Sequence, residues 1–142
     1  MKRTATAQWK GSLKDGRGSL TAPGGVLKGT PYSFATRFGD APGTNPEELI
    51  AAAHAGCFSM AFSAALGKEG FTPMAIDTTA TLSLDQVGAG FEITTIQLDM
   101  TASVPGIDPA KFQTIAEDAK ANCPVSKVLK GAKISLKATL KI

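Results

Sequence analysis

The sequence has few of the side chains that metal sites and disulfide frameworks require. It contains one histidine, His54, and two cysteines, Cys57 and Cys123, that lie far apart in the chain without a C-x-x-C motif. Such a set cannot supply the four ligands of a structural zinc site. Nor is it a secreted disulfide framework, which needs several closely spaced cysteines. The two cysteines are therefore either inert core residues or a redox pair in a reducing compartment.

Charge is moderate and dispersed, with a net value of +3. A nucleic-acid interface would show a dense basic stripe with interleaved aromatic residues, so no nucleic-acid partner is predicted. The first residues, MKRTATAQWKG, lack the apolar core of a secretory signal. The sequence therefore predicts a cytoplasmic protein. The one loose cluster of basic residues is near the C-terminal end, at Lys127, Lys130, Lys133, Lys137 and Lys141.

The segment Leu49–Leu66 contains no Asp, Glu, Lys or Arg. It just reaches the length of a membrane span, but it is rich in Ala, Ser and Gly and contains His54. We therefore predict a buried core helix and no membrane association. The residues at its start are typical of a helix N-terminus. Thr44 or Asn45 can cap it, a proline fits its first position and two glutamates lie in its first turn. It is predicted to end near Lys68.

Period-two patterns predict strands on both sides of this helix. Three are expected before it, in TATAQWKG, LKDGRGSL with its Asp15-Gly16 turn, and PYSFATRF with Tyr32, Phe34, Thr36 and Phe38 on one face. Two long segments after it, MAIDTTATLSLDQV and FEITTIQLDMTASV, predict an antiparallel hairpin. A second helix from Pro109 to about Ala121, a break at Cys123, a short helix after Pro124 and a closing strand complete the chain. The class is α+β with antiparallel sheet, in one domain over residues 1–142.

A helix that is apolar on all sides must be covered on all sides. One sheet and one amphipathic helix cover only part of Leu49–Leu66. Its many small residues would allow a second backbone to approach closely. We therefore expect two copies of this helix to pack together in a symmetric homodimer.

His54 and Cys57 are three positions apart and are neighbours on the helix surface. A Cys–His dyad of hydrolase type is one interpretation of this pair. The alternative, which we favour, is a core histidine that hydrogen-bonds elsewhere. No third orienting residue for a dyad is apparent in the sequence.

Glu47 is ten residues before Cys57, so the two side chains are about 15 Å apart along one helix. If both belong to one site, a long side chain must bridge them or Glu47 must come from another subunit. Arg37 is a candidate bridge, because a guanidinium can bind a carboxylate and also favour a nearby thiolate. Taken singly, Glu47 is better interpreted as a helix-start charge and Arg37 as a solvated strand residue.

TNPEELIAAAHAGCFSM and NCPVSKVL, together with GTPYSFATRF, GFTPMAIDTTA and VPGID, make the chain resemble the OsmC/Ohr organic hydroperoxide reductases over nearly its whole length. The resemblance implies reduction of organic hydroperoxides, and more weakly of hydrogen peroxide, in protection against oxidative or osmotic stress. It implies no metal, haem, flavin or other cofactor. Cys57 matches the peroxidatic and Cys123 the resolving cysteine of the family, and Arg37 and Glu47 match the pair that activates the thiolate.

The resemblance also implies an intertwined homodimer, with antiparallel sheets around two central long helices and active sites at the subunit interface. The implied reductant is a dithiol of lipoyl type. In the implied reaction, Cys57 becomes a sulfenic acid that Cys123 converts to a disulfide. Ile50, Phe58 and Met60 are candidate walls for the organic group.

Two other functions stay open at this point. One is a non-catalytic domain of the same fold that binds an apolar ligand and keeps both thiols reduced. The other is a small-ester hydrolase that uses Cys57 and His54.

Overall fold

The computed structural model describes residues 1–142, which form six strands and four helices. They are β1 (Thr6–Lys10), β2 (Arg17–Thr21), β3 (Thr30–Tyr32), α1 (Phe34–Phe38), α2 (Pro46–Lys68), β4 (Ala75–Val87), β5 (Gly90–Ser103), α3 (Pro109–Asn122), α4 (Pro124–Val128) and β6 (Lys133–Leu140). The chain divides into two compact units, residues 1–49 and 50–142. The α+β class is confirmed.

The first unit holds a three-stranded antiparallel sheet in the order β1-β2-β3. The predicted strand over PYSFATRF is wrong in its second half, where α1 begins after Ser33. Ser33 and Thr36 form a capping box, in which the Ser33 N–H donates to Thr36 Oγ1 (2.8 Å) and the Thr36 N–H donates to Ser33 Oγ (3.3 Å). Phe34 and Phe38 still share a face, since a spacing of four fits both a strand and a helix.

The second unit contains a three-stranded sheet in the order β4-β5-β6. The predicted β4–β5 hairpin is confirmed and pairs antiparallel from Ala75↔Ser103 to Val87↔Gly90. The expectation of purely antiparallel sheet is wrong for β6, which pairs parallel to β5. Helices α3 and α4 connect β5 to β6. This crossover brings the chain back to the end of the sheet where β5 begins, so that β6 can run parallel to β5.

One face of α2 forms the centre of the core in the second unit. His54, Phe58, Phe62 and Leu66 recur every four residues and are fully buried. The Phe62 ring packs edge-on against Phe112 of α3, with centroids 5.4 Å apart. The same buried cluster includes Ile96, Leu98, Met100 and Ala102 of β5 and Ile115, Ala116 and Ala119 of α3.

The opposite face of α2 is apolar but not covered within this chain. Met60 is 77 % exposed there, and α2 is long and apolar enough to cross a membrane by length and composition alone. Core helices of soluble proteins satisfy the same criterion. Small residues make up the rest of this exposed face, namely Ala53, Gly56, Ala64 and Gly67.

Replacing Phe62 with alanine is expected to lower the free energy of unfolding by about 3–5 kcal/mol, because a fully buried ring is removed from a packed cluster. Urea unfolding followed by circular dichroism measures this change. Val26→Ala, at a side chain that is 91 % exposed, is the control and is expected to have almost no effect. A loss below about 1 kcal/mol in Phe62→Ala would contradict this account of the core.

Candidate active site

Cys57 and Cys123 are brought together in the second unit as free thiols, with their Sγ atoms 2.9 Å apart. Cys57 is half-buried on α2, whereas Cys123 is fully buried where α3 ends and α4 begins. The Cys123 N–H donates to the Ala119 carbonyl (2.9 Å), and the Cys123 carbonyl accepts from the Lys127 N–H (3.0 Å). Both helices therefore fix this cysteine in a position where its sulfur contacts that of Cys57.

The surroundings of Cys57 within this unit favour its protonated form. Burial is the main cause that raises the pKa of Cys57, and the hydrogen bond between the two thiols and the Coulombic effect of Cys123 raise it further. The backbone N–H of Val125 acts in the opposite direction, because it donates to the Cys57 sulfur. A reactive thiolate at this position thus needs a further source of positive potential.

His54 is fully buried one helical turn before Cys57. Its Nε2 hydrogen-bonds to Ser126 Oγ of α4 at 2.7 Å, and its Nδ1 has no partner. Burial lowers the pKa of His54, which favours the neutral ring. A hydrolase dyad would need the imidazole on the Cys57 thiol, so the geometry favours the core-histidine interpretation.

Arg37 and Glu47 form an ion pair in the first unit. Arg37 is the fourth residue of α1 and Glu47 the second residue of α2, where a carboxylate meets the positive end of the helix. Arg37 Nη2 and Nε donate to Glu47 Oε1 at 2.6 and 2.9 Å. The guanidinium also lies over the Phe38 ring, 5.5 Å from its centroid. Two donors in one plane fix the orientation of the guanidinium.

A cavity of about 300 Å³ lies beside Arg37 in the first unit. Sequence reasoning missed its aromatic walls, although Trp9, Tyr32, Phe34 and Phe38 are all four aromatic residues of the first unit. The proposed wall Phe58 is wrong, because its ring is fully enclosed in the core of the second unit. The cavity is lined by Trp9, Leu13, Tyr32, Ser33, Phe34, Arg37, Phe38 and Pro46.

No group of three or more His, Cys, Asp and Glu side chains is arranged to hold a metal ion. The chemistry available to the described residues is thus that of two adjacent thiols, one oriented guanidinium–carboxylate pair and an aromatic cavity.

The sequence profile of the family described as OsmC-like protein matches residues 39–137. The chain is 57 % identical over 135 residues to Peroxiredoxin OsmC of Escherichia coli (strain K12), covering 95 % of this chain and 94 % of that protein. It is 33 % identical over 103 residues to the organic hydroperoxide resistance protein of Xanthomonas axonopodis pv. citri (strain 306), covering 72 % of this chain and 69 % of that protein.

Among solved structures, the organic hydroperoxide resistance protein OhrB of Bacillus subtilis is similar, with a TM-score of 0.67 and 26 % identity over 97 % of this chain and 98 % of that chain. The profile match covers more than half of the sequence, and the identity to the curated relatives extends over most of it. The chain therefore belongs to the OsmC family.

Proposed function

We propose that this protein is a thiol-dependent peroxidase that reduces organic hydroperoxides to alcohols in the cytoplasm. The observation that carries the proposal is the 2.9 Å separation of the Cys57 and Cys123 sulfur atoms, in a chain with over half its residues identical to a peroxiredoxin. Two thiols at this distance can be oxidised to a disulfide with little movement of either helix, since an S–S bond is about 2.05 Å long.

Cys57 is the residue that reacts with peroxide, because it is the less buried of the two thiols. Its thiolate attacks the terminal oxygen of ROOH, the O–O bond breaks, and the leaving alkoxide takes a proton from solvent to become the alcohol. Cys57 is left as a sulfenic acid, oxidised by two electrons. Cys123 then loses its thiol proton and attacks the Cys57 sulfur, so that the S–O bond breaks, a disulfide forms and water leaves.

Because Arg37 matches the activating arginine of the family, we assign to it the positive potential that the Cys57 thiolate needs. Its guanidinium stabilises the thiolate and the charge that develops on the peroxide oxygens, and Glu47 holds it in orientation. The aromatic cavity beside Arg37 is suited to an organic group, so organic hydroperoxides are expected to react faster than hydrogen peroxide. A dithiol of lipoyl type reopens the disulfide by thiol–disulfide exchange.

The protein acts as a homodimer in which the uncovered face of α2 packs against a second copy. An uncharged face with exposed Met60 and several small residues is costly in water and allows close helix approach. The two units of each chain belong to one OsmC-like domain, since the family profile crosses the boundary between them. Glu47 and Arg37 then act on Cys57 of the same chain or of the partner.

Intact mass under non-reducing conditions tests the two-cysteine reaction. After one equivalent of cumene hydroperoxide, the wild type is expected to lose two hydrogens, and Cys123→Ser is expected to gain one oxygen. Cys57→Ser, the matched control, is expected to do neither. If the wild-type mass stays unchanged with both thiols free, the peroxidase proposal is wrong and binding of an apolar ligand becomes the function to pursue.

Arg37→Met is expected to slow the reduction of cumene hydroperoxide by roughly 10²–10³-fold, because a charge aimed at the developing anion is lost. Stopped-flow measurement of alcohol formation gives the rate constant. Arg17→Met removes an exposed arginine from the same unit and is expected to leave the rate unchanged. Equal rates for Arg37→Met and the wild type would remove Arg37 from the mechanism.

Ala64→Glu is expected to shift the protein from dimer to monomer, because it places a charge on the uncovered face of α2. Sedimentation velocity measures the shift. Ala110→Glu introduces the same change at an exposed position of α3 and is expected to leave the dimer intact. A monomeric wild type, or a dimer that tolerates Ala64→Glu, would rule out this face as the interface.

A further inference from the structure

Two contacts join α2 to the segment that begins at Cys123 and continues into α4. One is the pair of sulfur atoms of Cys57 and Cys123, and the other is the 2.7 Å hydrogen bond between His54 Nε2 and Ser126 Oγ. His54 is three residues before Cys57, and Ser126 is three residues after Cys123. The contacts are therefore successive links between the same two elements, one helical turn apart on each.

Helix α4 is short, and few polar contacts join it to other elements, although Val125 also packs against the core cluster. It has five residues, and no side chain caps its N-terminus. Helices of this length are not stable alone. Its one side-chain hydrogen bond to another element is the bond from Ser126 to His54. The same turn carries the two groups that touch the Cys57 sulfur, namely the Cys123 thiol and the Val125 N–H.

The pair is a poor device for stability alone. The His54 ring is fully buried with Nδ1 unpaired, and burying a polar atom without a partner is unfavourable. An apolar pair of similar size would avoid this penalty. An apolar pair would not, however, form a directional bond between α2 and α4. The His54–Ser126 hydrogen bond does so in either tautomer of the ring.

We propose that His54 and Ser126 are a positioning pair that holds the first turn of α4 on α2, so that Cys123 stays aligned with Cys57 while the disulfide forms. This inference rests on the two-cysteine reaction proposed above. The step concerned is attack of the Cys123 sulfur on the Cys57 sulfenic acid, with formation of the S–S bond, cleavage of the S–O bond and loss of water. Attack at sulfur is directional, and a misplacement of about 1 Å can slow such a step by about 10²-fold.

The test separates the two chemical steps in the full-length protein. After one equivalent of cumene hydroperoxide, rapid quenching with a 1,3-dicarbonyl reagent counts sulfenic acid, and non-reducing mass spectrometry counts disulfide. In Ser126→Ala, sulfenic acid is expected to form at the wild-type rate, whereas disulfide formation is expected to slow by about 10²-fold. Ser126→Thr retains the hydroxyl and is expected to restore fast disulfide formation.

Ser59→Ala is the matched control on α2. The Ser59 hydroxyl is half-buried and hydrogen-bonds to Ala55 O and Thr78 Oγ1, both at 2.8 Å. Its removal deletes the same atom close to Cys57 without touching α4, and both steps are expected to keep their wild-type rates. Thermal unfolding of each variant confirms that it is folded at the temperature of the assay.

The double variant His54→Leu/Ser126→Ala distinguishes positioning from structural support. It replaces both partners by apolar groups and is expected to keep the wild-type thermal midpoint within a few degrees while disulfide formation stays slow. If Ser126→Ala or the double variant forms the disulfide at the wild-type rate, or if the sulfenic acid step slows equally, the positioning role is overturned. A wild type that forms neither species instead refutes the peroxidase proposal.

Discussion

The buried stripe of α2 is the constraint on which the arrangement of the two thiols depends. Phe58, Phe62 and Leu66 point into the core at intervals of four residues, and this fixes the rotation of the helix about its axis. Cys57 directly precedes Phe58 and is turned about 100° from it, so its sulfur lies at the edge of the buried stripe. The edge position leaves the thiol half-buried, where it touches Cys123 and still has access to the outside.

Burial shifts the pKa values of two titratable side chains of this helix, Cys57 and His54, in opposite directions. It raises the pKa of the Cys57 thiol and lowers that of the His54 imidazole, since in both cases the charged form loses solvation. The imidazole can stay neutral and contribute a hydrogen bond, but a peroxidatic cysteine must ionise to react. The Val125 N–H offsets part of the cost at Cys57. In the proposed mechanism, the guanidinium of Arg37 offsets the remainder of this cost.

Elements with a single periodicity were predictable from the sequence. The bounds of α2 and the β4–β5 hairpin follow from capping residues, Gly signals and clear alternation, and Asn45 caps α2 by accepting from the Glu48 N–H at 2.7 Å. Helix α1 was not predictable from alternation, because Phe34 and Phe38 satisfy both periods and the Ser33–Thr36 capping box decides between them.

The parallel pairing of β6 and the His54–Ser126 bond depend on long-range packing, which leaves no local pattern. Family resemblance, and not spacing, selected Cys123, Arg37 and Glu47.

The unequal burial of the two sulfur atoms orders the proposed cycle. Cys123 is fully buried in the core cluster, so neither a hydroperoxide nor a reducing dithiol reaches it from outside. Both must arrive at Cys57, and exchange then releases the Cys123 thiolate into the protein interior. Because the same exposed edge receives oxidant and reductant, the two cannot bind together. Oxidant and reductant therefore bind in turn, because both react at the Cys57 sulfur. The Cys123 sulfur changes between thiol and disulfide while it stays in the core.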